Sequence, residues 1–215
     1  MAEALRSPID SLPTTRRALL LTLKKRGEAT IDELAAALAV TPSAVRQHLT
    51  GLAGDGFVAR REVRSGPGRP RHVWSLAPGA EQLFPKTYGA LTNELLSFVE
   101  DEDPALLERV FERRREARTE RARERLAGLD LDRSVQELAR ILDEDGYLAD
   151  AERQPDGSWR IVEHNCAILA VATRYGQACG AELAFIRDVL PGATVERVAH
   201  LLSGSHVCAY EVRPM

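Results

Sequence analysis

The stretch that decides the fold is TIDELAAALAVTPSAVRQHLTGLAGDG, residues 30–56. It opens with a capping-box pattern. In this pattern the Thr30 side chain accepts a hydrogen bond from a first-turn amide, and the Glu33 carboxylate accepts one from the Thr30 amide. The apolar residues that follow predict a short helix that ends just before Thr41. This threonine is a second N-cap, and Pro42 follows it at the first helical position. There the N–H that proline lacks would have no hydrogen-bond partner within the helix. The pattern predicts two helices joined by a tight turn, a helix-turn-helix.

The residues on either side extend this pattern into a winged helix. Upstream, an apolar stripe that ends in three cations and Gly27 predicts a further helix. Downstream, the runs 57–63 and 72–76 predict two short strands around a basic tip rich in glycine and proline, residues 64–71. We therefore predict that residues 8–76 form a winged helix-turn-helix domain.

The outward side chains of the last helix and of the tip are suited to nucleic acid. On the helix they are Thr41, Ser43, Arg46, Gln47 and Thr50, and on the tip Arg64, Arg69 and Arg71. Arginine and glutamine make bidentate contacts with guanine and adenine edges in the major groove. The tip arginines are expected to lie along the phosphate backbone or in the minor groove. The sequence predicts binding to double-stranded DNA.

The charge distribution agrees with this prediction. The net charge of −3 is unevenly distributed, because the N-terminal part of the chain is basic and the rest is acidic. Residues 1–76 carry 12 Lys and Arg against 7 Asp and Glu, a net charge of +5, which leaves 17 against 25, or −8, for residues 77–215. A basic module fits a partner that carries phosphate.

Composition predicts a globular protein, and the pattern of apolar residues leads us to expect it in the cytoplasm. With 44% hydrophobic and 28% charged residues, it has enough apolar side chains for one or two cores. Residues 1–10 lack the apolar core of a signal peptide, and the apolar runs are too short to cross a membrane. We therefore expect no membrane partner, and reduced thiols.

The middle of the chain, residues 77–130, is predicted to be a helical linker and dimerisation arm. Residues 112–125 hold seven Arg and four Glu, a pattern typical of a solvated helix face with i,i+4 ion pairs. A winged-helix repressor reads a two-fold operator with two DNA-binding domains, one from each subunit. A long helix here therefore suits a homodimer.

Residues 131–215 are predicted to form a small α+β sensor domain. A Pro-Asp-Gly turn at 155–157 lies between two alternating runs and indicates a hairpin. Residues 167–175 and 178–190 have helical patterns, and residues 194–200 and 207–212 have strand patterns. The predicted fold class of the whole chain is therefore α+β.

The chain has only three cysteines, Cys166, Cys179 and Cys208, and their odd number argues against a disulfide framework. Free cysteines also occur as small buried hydrophobes. Zinc is a weaker alternative, because the paired short spacings of zinc sites are absent. A cysteine-dependent enzyme would use Cys179 or Cys166 with His164, but we can name no third orienting group, so we expect no catalysis.

Two parts of the chain resemble known regulators. Residues 40–49, with Leu52 and the Gly-Pro-Gly-Arg-Pro stretch at 66–70, resemble winged-helix regulators of the ArsR/DeoR-like group. The stretch His164-Asn165-Cys166, then Cys179 with Glu182, then Gly204-Ser205-His206-Val207-Cys208, resemble the C-terminal domain of SufR-type iron-sulfur regulators. Together the two resemblances cover nearly the whole chain.

The second resemblance implies an iron-sulfur cluster, most simply of the 4Fe-4S type. Four cysteines hold the cluster in that family. Here twelve residues separate Cys166 from Cys179, and twenty-eight separate Cys179 from Cys208, so three of the four positions match. Val162 stands at the first position and cannot bind iron.

The fourth iron would then take another ligand, since cluster irons also accept imidazole, carboxylate or a small molecule. His164 is our first candidate, because strand alternation places it on the same face as Val162. Glu182 is the second, because on the predicted helix it shares a face with Cys179. His206 is the third.

The sequence as a whole predicts a homodimeric, DNA-binding transcriptional regulator. By family resemblance it is a repressor that senses iron-sulfur status or redox stress through a cluster held by three cysteines. Its DNA partner is expected to be an inverted-repeat operator. An alternative stays open at this stage, in which a winged-helix regulator responds to an organic ligand and the cysteines are structural.

Overall fold

The computed structural model of the chain describes residues 7–63 and 70–215. The chain forms two compact units, the first ending at Lys86 and the second comprising Thr87–Met215. The predicted α+β fold with an N-terminal winged helix is confirmed. Within the described ranges, none of the helices has both the length and the apolar character needed to cross a bilayer.

In its described residues, the first unit has three α-helices and a three-stranded antiparallel sheet. Its elements are α1 (Thr14–Arg26), β1 (Glu28–Ala29), α2 (Ile31–Leu38), α3 (Pro42–Gly54), β2 (Val58–Val63) and β3 (Arg71–Leu76). The strand order is β1-β3-β2, so the two wing strands pair with each other and β3 also pairs with the short β1. The sequence analysis did not predict β1.

Local capping determines where α2 and α3 begin. The Thr30 amide donates to Glu33 Oε2 at 2.7 Å, and the Glu33 amide donates to Thr30 Oγ1 at 3.3 Å. At the start of α3, the Ala44 amide donates to Thr41 Oγ1 at 3.2 Å. Between the two helices, Ala39 adopts the left-handed conformation with φ of 53°. The helix-turn-helix is thus formed at the predicted residues.

The core of the first unit extends past the predicted boundary at residue 76. Leu34, Leu49 and Leu52 are fully buried between the helices. Leu83 and Phe84 belong to the same core, because a short 3₁₀ turn at Pro78–Leu83 brings the chain back onto it. The first unit therefore includes residues that we assigned to the linker.

The second unit consists of five helices and a four-stranded antiparallel sheet. Its helices are α4 (Tyr88–Glu102), α5 (Pro104–Leu126), α6 (Leu131–Leu142), α7 (Leu169–Ala172) and α8 (Gln177–Val189). Its strands are β4 (Ala149–Arg153), β5 (Trp159–Glu163), β6 (Ala193–Ala199) and β7 (Cys208–Pro214), in the order β4-β5-β7-β6. The predicted hairpin is present as β4 and β5, whereas the helix expected over 167–175 is reduced to the single turn of α7.

The charge-rich helix α5 does not form a separate arm. It packs along α8, and it buries Leu107, Phe111, Ala122 and Leu126. Residues 77–130, predicted to be a helical linker and dimerisation arm, are divided in the structure between the two units, and α5 belongs to the second. The physical reason is that α5 has a continuous buried face, which the high density of charges obscured in the sequence.

One residue of the charged run is itself buried. The Arg118 side chain is 6% exposed and donates to Glu182 Oε2 and to Asp145 Oδ2, each at 2.7 Å. Its guanidinium also lies 4.2 Å from the centre of the Phe185 ring. Glu182 is 5% exposed and accepts a further bond from the Tyr147 hydroxyl at 2.9 Å. These contacts tie α5 to α8 with a buried ion pair.

We expect Arg118→Met to destabilise the second unit by about 3–5 kcal/mol, because it leaves the Glu182 carboxylate buried without its cation. Urea unfolding followed by circular dichroism measures this cost. The double variant Arg118→Met/Glu182→Leu should regain a large part of it. Arg140→Met, on the exposed face of α6, is the matched control, since its side chain is 67% exposed. Equal losses in the two single variants would contradict this account of the ion pair.

Candidate functional site

Helix α3 presents a polar face that is available to DNA. Val45 and Leu49 point into the core, and Arg46, Gln47 and Thr50 are exposed on the other side. The Thr50 hydroxyl donates to the Arg46 carbonyl at 2.9 Å, which orients it along the helix. The structure therefore brings the predicted base-reading side chains together on one face.

The remaining predicted DNA contacts lie at the ends of this surface. Thr41 and Ser43 are exposed at the start of α3, and Thr41 also caps the helix. Arg71 is exposed at the beginning of β3 and pairs with Val63 in the wing. The predicted contacts Arg64 and Arg69 lie outside the described residues.

A second candidate site lies in the C-terminal unit, where the three cysteines line one cavity. Cys166 follows the end of β5, Cys179 lies in the first turn of α8, and Cys208 is the first residue of β7. Cys208 pairs with Glu163 across the sheet, and its sulfur accepts from the Leu201 amide at 3.5 Å. The fold thus collects three thiols from three separate elements.

Two buried carboxylates line the same cavity. Glu163 and Glu182 are 3% and 4% exposed. Glu163 Oε2 accepts a hydrogen bond from the Tyr210 hydroxyl at 3.2 Å, and Glu182 Oε2 accepts one from the Tyr147 hydroxyl at 2.9 Å. Among the described residues, neither Oε1 atom has a hydrogen-bond partner. Burial, and next the charge of Glu182, raise the pKa of Glu163 to about 8.

Two basic side chains complete the lining, Arg197 and His200. Arg197 donates to the Cys179 carbonyl, and its guanidinium lies 5.6 Å from the centre of the Tyr210 ring. In the described part of the chain, Arg197 Nε and His200 Nε2 are buried without a partner. Four unpartnered polar atoms around three thiols are unusual, because buried polar groups are nearly always hydrogen-bonded. The cavity therefore has the donors and acceptors of a ligand site.

The thiols themselves are protonated in this environment. Burial raises the pKa of Cys166, Cys179 and Cys208, and the charge of Arg197 opposes this increase at Cys179. Burial likewise lowers the pKa of His200, so its imidazole is neutral near pH 7. Because metals bind thiolates, loading this site would release protons.

The three thiols are not arranged as a metal site in the described structure. In the described ranges, no three His, Cys, Asp or Glu side chains are placed to hold one metal ion. Each thiolate of a cluster binds a different iron, so the sulfurs need not meet at one point. The cavity volume is about 20 Å³, room for about one water molecule. A cluster would therefore require the three cysteines to move outward.

The structure does not bring every predicted ligand to the cavity. His164 is exposed, and its Nε2 lies 2.9 Å from Asp150 Oδ2. It lies outside the cavity lining, because β5 turns Ile161 and Glu163 inward, and alternation then points His164 outward. His206 is exposed and is also outside the lining. Of the three predicted candidates for the fourth ligand, Glu182 alone lines the cavity in the described structure.

The sequence analysis missed Glu163, Arg197 and His200. The alternation of Trp159 and Ile161 along β5 was a signal that would have placed Glu163 on the inner face. The buried Ala193 and Val195 of β6 were a similar signal for Arg197, which follows them on the same face. His200 had no comparable signal, because the pairing of β6 with β7 shifts register between Arg197 and Ala199. This irregularity breaks the alternation from which a facing direction is inferred.

The family comparison matches the first of these two sites. Residues 13–60 match the family described as bacterial regulatory protein, arsR family. This range covers α1 to α3 and the start of the wing, so the match lies on the helix-turn-helix.

The chain is a DNA-binding transcriptional regulator of the winged-helix type.

Solved structures similar to the regulator come from several bacteria. RV1404 of Mycobacterium tuberculosis is 20% identical, with 46% of this chain and 68% of that chain covered and a TM-score of 0.33. A MarR family transcriptional regulator from Silicibacter pomeroyi is 19% identical over 63% and 70% of the two chains, with a TM-score of 0.29. Bacillus subtilis PadR in complex with operator DNA is 17% identical over 58% and 76%, with a TM-score of 0.30.

No curated protein sequence matches the chain. The description of the DNA-binding unit therefore rests on the family match and on the geometry of α3.

We expect Arg46→Ala and Gln47→Ala each to weaken specific operator binding by about 1–3 kcal/mol, because each removes contacts to base edges. The measurement is a fluorescence-anisotropy titration with the operator and with random duplex of equal length. Base preference should relax at the positions that these residues read. An equal loss of affinity for operator and for random DNA would show that the two side chains do not read sequence.

Proposed function

We propose that this regulator is a homodimeric repressor that senses iron-sulfur status or redox stress through a cluster bound by Cys166, Cys179 and Cys208. The cluster is the signal, and affinity for an inverted-repeat operator is the output. One observation carries the proposal: three thiols from distant parts of the chain line a single cavity that also holds buried, unpartnered polar atoms.

The chemistry of the lining supports a redox-active, anionic group. Three thiolates would bind three irons, and the cluster would supply a change of charge on oxidation, reduction or loss. Arg197 donates a hydrogen bond to the Cys179 carbonyl and so places a positive charge beside the thiols. Cys179 lies in the first turn of α8, so its outward movement on loading acts on the helix that packs against α5. The sensor is in this way connected to the helical part of its unit.

The cysteines provide the direct test. In anaerobically prepared full-length protein, we expect iron and acid-labile sulfide together with broad visible absorption. Changing Cys166, Cys179 or Cys208 singly to Ser should each abolish or strongly destabilise the cluster, because three thiolates leave no spare ligand. All three variants should show the same altered operator binding.

Other outcomes would count against the cluster. Wild-type protein without iron and sulfide would refute it, as would normal DNA regulation in all three serine variants. The alternative, a regulator that responds to an organic ligand, has its own structural support in a groove of about 470 Å³ beside α4. Colourless wild-type protein whose operator response is changed by Val171→Trp, which fills this groove, would favour that alternative.

We assign the dimer contact to α4. The charged run at 112–125, which we expected to be the arm, is occupied by packing on α8. Helix α4 instead exposes four large apolar side chains, Tyr88, Leu91, Leu95 and Phe98, which are 71%, 50%, 55% and 60% exposed. Their spacing of three, four and three residues is the heptad spacing of a coiled-coil seam. A second copy of the same helix would cover this stripe.

A lysine in the α4 stripe should separate the dimer. We expect Leu95→Lys to weaken self-association at least ten-fold, on the basis of about 1.5–3 kcal/mol for burying one leucine. Glu94→Lys, the neighbouring exposed position, is the matched control. Sedimentation equilibrium measures association, and anisotropy compares a full operator with a single half-site. If Leu95→Lys remained as dimeric as wild type, the contact would lie elsewhere.

A further inference from the structure

The groove of about 470 Å³ beside α4 lies between this helix, α5 and the segment around α7. Its volume is within the range of about 300–1,000 Å³ that is typical of sites for small organic molecules. The walls are mostly apolar, and they include Leu96 of α4, Val110 and Phe111 of α5, and Ile168 and Val171 around α7. The groove therefore has the size and the apolar surface of a ligand site.

Contacts between α4 and α7 fix the shape of this groove. The Asn93 side-chain amide donates to the Ala170 carbonyl at 2.8 Å, and the Tyr175 hydroxyl donates to the Asn93 carbonyl at 3.3 Å. At Gly89 the two segments are so close that a Cβ on this residue would lie 2.6 Å from the Cβ of Ala170. The groove is therefore a fixed part of the folded unit, and a ligand would find it already formed.

The charge in the lining is positive and has an unused donor. Arg114 lines the groove, and its Nη1 is buried without a hydrogen-bond partner in the described structure. Arg115 and Arg118 on the same helix, by contrast, both have carboxylate partners. Within the described part of the chain, the groove lining includes no Asp or Glu. Because buried donors are nearly always hydrogen-bonded, an anionic acceptor is the group that Arg114 lacks.

The proposed dimer contact does not occupy the groove. Three of the four side chains of the α4 stripe, Leu91, Leu95 and Phe98, are absent from its lining. Tyr88 belongs to both surfaces. A second copy that covers the stripe would therefore adjoin the groove at Tyr88 and leave the rest of it to another occupant.

We propose that this groove binds an organic monocarboxylate, whose carboxylate pairs with Arg114 and whose apolar body packs against Leu96, Val110 and Phe111. The guanidinium geometry matches a carboxylate, and the apolar walls favour a hydrocarbon body over a polar one. The ligand is a second signal to the regulator, because it contacts the stripe residue Tyr88. The inference goes beyond the function proposed above and does not depend on a cluster, since none of the three cysteines lines the groove.

Isothermal titration calorimetry of the full-length protein with octanoate and with octanol tests the site, because octanol has the same chain without the charge. We expect Arg114→Met to weaken octanoate binding about ten-fold or more, and to leave octanol binding within about two-fold, since it removes only the charge-assisted pair. Arg113→Met is the matched control. It removes the same charge from an exposed position of the same helix, outside the lining, and should bind octanoate as wild type does.

Thr92→Trp provides a second variant, which fills the groove from its exposed side. It should abolish the binding of octanoate and of octanol, because both occupy the same apolar space. In a fluorescence-anisotropy titration, octanoate should change the operator affinity of wild type by about five-fold or more, as is typical of coupled sites, and should leave that of Arg114→Met unchanged.

The possible failures are distinguishable. Octanoate that does not bind, or that binds wild type and Arg114→Met equally well, would overturn the site. Octanoate that binds without changing operator affinity would overturn its role as a signal. Altered self-association of Thr92→Trp, with no octanoate binding to wild type, would assign the groove to the dimer contact instead. Protein that lacks iron and sulfide but binds octanoate through Arg114 would overturn the cluster and leave this inference standing.

Discussion

The buried ion pair between Arg118 and Glu182 is the interaction on which the C-terminal unit depends. It anchors the most highly charged helix of the chain to α8, and it draws in Asp145 and Tyr147 as further partners. Two charges removed from water are tolerated only when each is matched and hydrogen-bonded. The rotation of α8 about its axis is therefore closely constrained, and Cys179, one turn before Glu182, is held at the cavity by the same constraint.

The cysteine cavity, which is the proposed sensor, and α4, which is the proposed dimer contact, lie in one unit and are connected by a shared lining residue. Ile168 lines both the cysteine cavity and the apolar groove beside α4. If thiolates move outward when a cluster forms, Ile168 and α7 are the first packed elements that must respond. Since α4 carries the exposed apolar stripe, a change in the cavity reaches the surface on which two copies would meet. This route requires no direct contact between the cavity and the DNA-binding unit.

The accuracy of sequence reasoning differed between the two units for physical reasons. The Thr30 and Thr41 caps and the Pro-Asp-Gly turn are interactions within a few residues, so they were visible in the sequence and the structure forms them there. The charged run at 112–125 led us to expect a solvated helix, because charge density does not reveal that Arg118 has a buried partner 64 residues away. The prediction for His164 grouped it with Val162 and did not use Trp159 and Ile161, whose apolar side chains mark the other face of β5 as the inner one.

The sequence by itself determined the helix-turn-helix, the wing strands and the presence of three cysteines at a recognisable spacing, since each depends on local pattern. Only the tertiary structure decided which side chains surround those cysteines. Sheet pairing sets Glu163 opposite Cys208 and Arg197 opposite Tyr210, and the turn after β6 brings His200 to the same lining. Packing of α5 on α8 leaves α4 with the free apolar face. These are long-range consequences of burying one continuous core, and no short stretch of sequence contains them.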